Sequence, residues 1–273
     1  MKRFKPYIYF FPLLLILTTF SVHSVLSPVK EVIPEFKIPE AYAPLDAVLL
    51  LTLTFFSGLF LLFVFKRSVF FLKLILSSFS LYIVFFTAVF YWEAMSIKFE
   101  FLNSLSSIYI GILATAVAAV AILMKLDILY SPLLFTTMIG VGCILNFSMV
   151  VSTKIALMIV YSIFDLYSVY RGALGKMLGS SGNPKSKAID LFFPLLVKIN
   201  GLSVGSGDVV FYSMASSLSI DLGIAPFIAV STALFIGFLI DLWLLKKKRV
   251  VPGLPIPIIL SLIAIVIWEF TYF

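Results

Sequence analysis

Histidine and cysteine are almost missing from this chain of 273 residues, which holds one of each, His23 and Cys143. A lone cysteine excludes an intrachain disulfide, and its apolar surroundings read as a small buried hydrophobe. A single histidine leaves no H-E-x-x-H pair for zinc. A Ser-His dyad would hang on His23, near the end of an apolar run, where an interfacial histidine is the simpler reading. No metal-ligand set and no cofactor motif stands out. Charge is scarce too, at 12% of residues against about 25% in soluble domains.

What fills the chain is apolar. Hydrophobic residues make up 62% of it and the mean hydropathy is +1.16. The apolar residues fall in repeated runs of helix-spanning length, without the period-two alternation of a membrane barrel. Only helices and closed barrels satisfy their backbone in lipid, so the expected class is all-α and polytopic. The net charge of +7 does not point to nucleic acid, because the basic residues sit between the apolar runs and act as topology signals.

Nine spans are expected. They cover roughly 7–26, 46–65, 69–92, 107–126, 129–151, 154–170, a seventh containing Asp208 and ending near Leu222, then 226–245 and 251–273. Lys2, Arg3 and Lys5 before the first run resemble a signal-peptide n-region, but no small-residue cleavage site follows, and a retained helix is expected. Residues 27–45 carry four prolines and read as an extended loop, and 93–106 as a mixed-charge loop. The fourth run is rich in alanine and glycine, which predicts a central or tightly packed helix. Residues 189–196 read as an interfacial lead-in to the seventh.

Sixteen of the 20 basic residues fall on one side of this arrangement, leaving Lys30, Lys37, Lys98 and Lys154 on the other. Under the positive-inside rule, the N-terminus is cytoplasmic and the C-terminus outside. The chain divides into residues 1–170, with six spans; 171–188, a short polar cytoplasmic loop; and 189–273, with three spans, all in one membrane domain. The expected location is the cell membrane.

Two acids stand inside apolar runs: Asp165, in Phe164-Asp165-Leu166, and Asp208, behind Gly205-Ser206-Gly207. A carboxylate at the centre of a membrane helix costs roughly 2.5–3.5 kcal/mol on insertion scales, so such residues usually have a function and a partner. The other acids lie at span ends or in loops and read as structural or solvated. Asp241, near the end of its span, is expected to reach the interface or Lys246. Asp165 and Asp208 lie on consecutive antiparallel spans at similar depth in the cytoplasmic half. Gly205 and Gly207 remove bulk on the approach to Asp208, for close helix contact or for a substrate backbone. Two carboxylates in a site of low dielectric share one proton, which is what aspartic peptidolysis requires: one activates a water, the other polarises the scissile carbonyl. That chemistry uses neither metal nor cofactor.

Gly205-Ser206-Gly207-Asp208, followed by Phe211-Tyr212-Ser213, resembles the GxGD motif of presenilin. Phe164-Asp165 resembles the family's Tyr-Asp motif on the preceding span, and Pro252-Gly253-Leu254-Pro255 its Pro-Ala-Leu-Pro signature. The motifs come in the family's order, and the resemblance covers the whole chain. It implies an intramembrane aspartyl protease with Asp165 and Asp208 as the catalytic pair. It also implies that Pro252, Leu254 and Pro255 pack beside them and shape the substrate site. The partners implied are transmembrane protein substrates in the lipid bilayer; accessory subunits are not identified.

Two positions depart from the pattern. Phe164 removes a hydroxyl beside Asp165, which Tyr161, one turn earlier, is placed to supply. Gly253 stands where the signature has alanine, a smaller residue expected to keep the local geometry. The loop after Asp165 is short for self-cleavage. Signal peptide peptidases share the motifs but run the opposite way through the membrane. A different class, a proton- or cation-coupled transporter, also uses intramembrane acids and broken helices, but it predicts internal repeats that the two halves do not show.

Overall fold

The structure is a computed structural model. It describes residues 6–28, positions 49, 52, 56, 60, 63, 64 and 67, and residues 68–99, 101–102, 105–170, 192–199, 202–247 and 251–272. The expected loop 171–188 lies outside the described residues, as does most of the expected second span, whose described positions 49, 52, 56, 60, 63 and 64 are helical.

The apolar runs form helices, and the elements in chain order are α1 (Phe11–Leu26), α2 (Val69–Lys98), α3 (Ser107–Leu123), α4 (Asp127–Ser148), α5 (Val151–Tyr170), β1 (Leu196–Ile199), β2 (Leu202–Gly205), α6 (Ser206–Leu222), α7 (Ile224–Lys247) and α8 (Pro255–Tyr272). A 3₁₀ turn, Pro6–Phe10, leads into α1. Among the described residues, α1 with its lead-in, α2, α4, α5 and α7 are long and apolar enough to cross a membrane, and α3 and α8 are shorter apolar helices. Large apolar side chains such as Phe70, Phe86, Ile112, Ile128 and Phe270 lie exposed on the outer surface. In water such a surface would be unstable; facing lipid tails it costs nothing. The chain is an integral, multi-pass membrane protein.

Helix α2 runs past its expected end, through residues assigned to a loop. At 30 residues it is about 45 Å long. The Ser68 side chain caps its start by accepting the Phe71 N–H, and its extension is held by Trp92 Nε1–H on the Leu105 carbonyl and by Ser107 on Glu93. Helix α3 is not central. Ile108, Ile112, Leu113 and Val120 are exposed, and its buried small residues are those that pack against a neighbour. Small residues permit close approach, but they do not set on how many sides it happens.

The centre is α4, which packs against α1, α2, α3 and α6 and buries Tyr130, Leu134, Ile139 and Cys143. At Gly142 it meets α6 so closely that a Cβ there would stand 2.0 Å from Ser213 Oγ and 2.5 Å from the Val210 carbonyl. The missing side chain therefore sets the distance between the central helix and the helix that carries Asp208.

The all-α class holds, with one addition. Ahead of α6, residues 196–199 and 202–205 are not helix but pair as an antiparallel hairpin, with Val197 opposite Val204 and Ile199 opposite Leu202. Its sequence carries the signal, Asn200-Gly201 between alternating apolar residues, the dipeptide that suits a two-residue hairpin turn. The start of α4 anchors it. Tyr130 donates its hydroxyl to the Pro194 carbonyl at 2.6 Å, Ser131 Oγ accepts the Lys198 N–H at 3.2 Å, and Lys198 pairs with Asp127 at 3.2 Å.

At the other end of the bundle a polar cluster joins α1, α4 and α6, with His23, Asn146 and Ser217 buried and Asp221 at its exposed edge. Asn146 Nδ2 donates to Ser217 Oγ at 2.9 Å and to Asp221 Oδ2 at 2.8 Å. His23 Nδ1 lies 2.8 Å from Ser217 Oγ, and its Nε2 lies 3.7 Å from Asp221 Oδ1. His23 is thus buried rather than interfacial, because the cluster gives each ring nitrogen a polar neighbour. Ser217 is fully enclosed, so the grouping is a structural tie and not a reachable nucleophile.

Candidate active site

Asp208 lies in the first turn of α6, directly after β2. Gly205 is the N-cap of that helix and Asp208 its third residue. The carboxyl turns back to accept the Gly205 N–H, which is half of a capping box. The second glycine has another role: a Cβ on Gly207 would meet nothing within 4 Å, so the backbone beside the acid faces open space.

Asp165 lies on α5, half-buried, and faces the chain just before α8. The Leu254 N–H donates to its Oδ2 at 3.1 Å. Pro255 opens α8 as its first residue, where a missing N–H costs nothing, and the Ile258 N–H closes the first turn on the Leu254 carbonyl. Each acid therefore sits at the N-terminal end of a helix, Asp208 on its own and Asp165 on a neighbour's. Unsatisfied N–H groups and the helix dipole favour negative charge at both places.

Gly253 lies between the two acids. A Cβ on it would stand 2.5 Å from Asp208 Oδ2, so the carboxyl occupies the space an alanine methyl would fill. The next N–H, that of Leu254, is the one bound to Asp165. The Gly253 carbonyl accepts the Tyr212 hydroxyl from α6. Two acids from different helices thus meet across two consecutive backbone units, within electrostatic reach of each other.

The side chains of Pro252, Leu254 and Pro255 are buried. What this segment offers the site is its backbone, held in place by those anchors. Phe164 is half-buried beside Asp165. Tyr161 packs its ring on Phe211, with centroids 4.9 Å apart, which ties α5 to α6 next to both acids.

Two polar residues near the acids do not stand out in the sequence. Tyr212 enters only as part of a motif, although an aromatic hydroxyl one turn after Asp208 shares its helix face. Asp241 is expected to reach the interface or Lys246. It is instead 5% exposed, and Lys246 points to the Tyr9 hydroxyl at 3.1 Å. The cause is helix phase: Asp241 follows Gly237 by one turn, on the face that α7 presses against α8.

No protein-family model matches the sequence, and no curated protein sequence matches it. A solved structure does, one described as a presenilin family intramembrane aspartate protease. The TM-score is 0.60 at 15% identity, covering 95% of this chain and 97% of that one. The two chains share a fold. The likeness extends over nearly the whole of both chains.

Proposed function

We propose that the protein is an intramembrane aspartyl endopeptidase, hydrolysing peptide bonds inside or near the transmembrane segments of membrane proteins, with Asp165 and Asp208 as its catalytic pair. The observation that carries the reading is the convergence of both carboxyls on Gly253-Leu254. The shared fold supports it.

In this reading the pair holds one proton. The ionised carboxylate takes a proton from a water held between the two, and the water oxygen attacks the scissile carbonyl carbon. The protonated partner gives its proton to the carbonyl oxygen, producing a neutral tetrahedral diol. Collapse returns a hydroxyl proton to the pair while the leaving nitrogen receives one, and the C–N bond breaks. A helical substrate shields its carbonyls in hydrogen bonds, so the segment to be cut has to unwind first. The open backbone at Gly207 and the hairpin, whose strands pair only with each other among the described residues, offer a place for an extended chain.

Nine spans with the N-terminus cytoplasmic and the C-terminus outside belong to the same proposal, as do the division at 1–170, 171–188 and 189–273, placement in the cell membrane and transmembrane proteins as substrates. The test is cleavage of a transmembrane reporter by purified protein in proteoliposomes. Wild type should cleave, and Asp165→Ala and Asp208→Ala should each abolish cleavage while remaining folded. Undiminished turnover in both variants, or pH-driven ion flux with no cleavage by wild type, overturns the reading.

A further inference from the structure

Tyr161 of α5 and Phe211 of α6 meet ring to ring, with centroids 4.9 Å apart and planes tilted by 37°. Each ring stands one turn from a residue at the acids. Tyr161 precedes Asp165 by four residues on α5, and Phe211 follows Gly207 by four on α6, so each pair shares a helix face. The relative direction of the helices follows from these contacts. Asp165 and Asp208 converge on Gly253-Leu254; from there Tyr161 is reached by going back along α5, and Phe211 by going forward along α6. The two helices are therefore antiparallel. With the rings level, Gly207 stands opposite Asp165.

Among the described residues, no side chain fills the level between those two. A Cβ on Gly207 would meet nothing within 4 Å, and Gly207 is exposed, while Asp165, Tyr161 and Phe211 are half-buried. The result is a slot between α5 and α6. Asp165 stands on one side, the bare backbone of Gly207 on the other, and the two rings form the floor. That floor lies about one turn, roughly 5.4 Å, from the level of Gly207. Phe164 packs edge-on against Tyr161, with centroids 6.5 Å apart, and holds that ring in place.

We propose that this slot is a side-chain subsite of the protease, taking an apolar side chain next to the scissile bond, with Phe211 limiting its length. The proposal rests on the protease reading. An extended chain turns successive side chains to opposite faces, so one of the two residues flanking the bond points into the slot. Gly207 leaves that side chain a way in past Asp165. The floor rewards apolar contact, and a polar group set on it would lose its water without gaining a partner. A depth of one turn suits a branched aliphatic side chain such as leucine. Alanine leaves the floor bare, and tryptophan is too long.

The experiment uses transmembrane reporters that differ only in alanine, leucine or tryptophan at one or the other residue flanking the bond that wild type cuts. The readout is the ratio of kcat/KM between reporters within each variant, which a general loss of activity does not move. At one of the two positions wild type should prefer leucine to alanine by about tenfold and cut tryptophan least. Phe211→Ala deepens the slot, and tryptophan should gain on leucine by at least about tenfold. Gly207→Ala narrows the entrance and should lower the leucine reporter more than the alanine one. Phe211→Leu, which keeps an aliphatic packing contact, takes the place of Phe211→Ala if that variant fails to fold. Ratios unchanged from wild type at both positions overturn the proposal and leave the protease reading standing. Loss of folding in both Phe211 variants overturns it in favour of a packing role for the ring. A wild type that cleaves none of the reporters ends both readings.

Discussion

The carboxyl of Asp208 rests against the backbone of Gly253, its Oδ2 2.5 Å from where a Cβ would stand. The atoms an alanine would strike are the free end of a side chain. At Gly237 the same substitution would strike the Pro257 backbone at 2.4 Å. The two glycines should therefore fail in different ways. Gly253→Ala moves the carboxyl and spares the fold: the thermal midpoint stays near wild type while kcat falls at least about tenfold, since an ångström of misplacement can cost a hundredfold. Gly237→Ala forces α7 and α8 apart and should destabilise by about 1–3 kcal/mol, as overpacking does. Thermal unfolding and single-turnover cleavage of both variants separate these outcomes; a Gly253→Ala protein that melts as early as Gly237→Ala would contradict the argument.

Tyr212 holds the Gly253 carbonyl from α6, the helix that also carries Asp208. One hydrogen bond thus fixes the distance between the helix bearing one acid and the segment bound to the other. Tyr212→Phe removes that bond and keeps the ring. It should cost about 1 kcal/mol of stability and lower kcat several-fold, with KM nearly constant because no substrate contact is lost. Unchanged kcat would show that the segment is held by its proline anchors alone.

Residue chemistry alone leads to the two acids and the apolar runs, because lipid makes each of them conspicuous, and the resemblance to a family signature adds the segment Pro252–Pro255. It did not lead to the hairpin. Residues 196–205 are apolar enough to pass for membrane helix, and only Asn200-Gly201 argues otherwise. Read as part of the seventh span, those residues would put Asp208 well inside a helix, whereas it stands in the first turn of α6. Tyr212 and Asp241 were hidden for a different reason. Hydropathy reports that a residue lies in a span but not which neighbour its face meets, and the site is made by faces. The packing of α4 shows the same limit: alanines mark α3 as close-packed, yet Gly142 on α4 is where the closest approach to the Asp208 helix occurs.

The polar cluster at the far end of α6 should act on stability and not on catalysis. Asn146 serves both Ser217 and Asp221, which lie about 14 and 20 Å from Asp208 along the helix. Asn146→Leu leaves the buried Ser217 hydroxyl and the more exposed Asp221 carboxylate each short of a donor, at a cost of about 1–3 kcal/mol. The thermal midpoint should fall, while kcat/KM measured well below it stays at the wild-type value. A drop in kcat/KM at low temperature would mean that the two ends of α6 are coupled.

The sense in which the chain crosses the membrane can be tested because Cys143 is fully buried in α4. In the folded protein it should resist a membrane-impermeant maleimide, so wild type serves as an unlabelled background. Sixteen of the 20 basic residues fall on the side assigned to the cytoplasm, and the polar stretch 171–188 holds several of them. Ser180→Cys should therefore be labelled in inside-out vesicles and protected in right-side-out ones. Glu35→Cys, in the proline-rich stretch after the first span, should show the reverse. The pair of variants matters because proteins with the same motifs can run either way, and the direction decides which end of a substrate enters the site first. Labelling of Ser180→Cys from outside would reverse the orientation inferred from charge and would turn the N-terminal ends of α6 and α8, with both acids, toward the opposite face of the membrane.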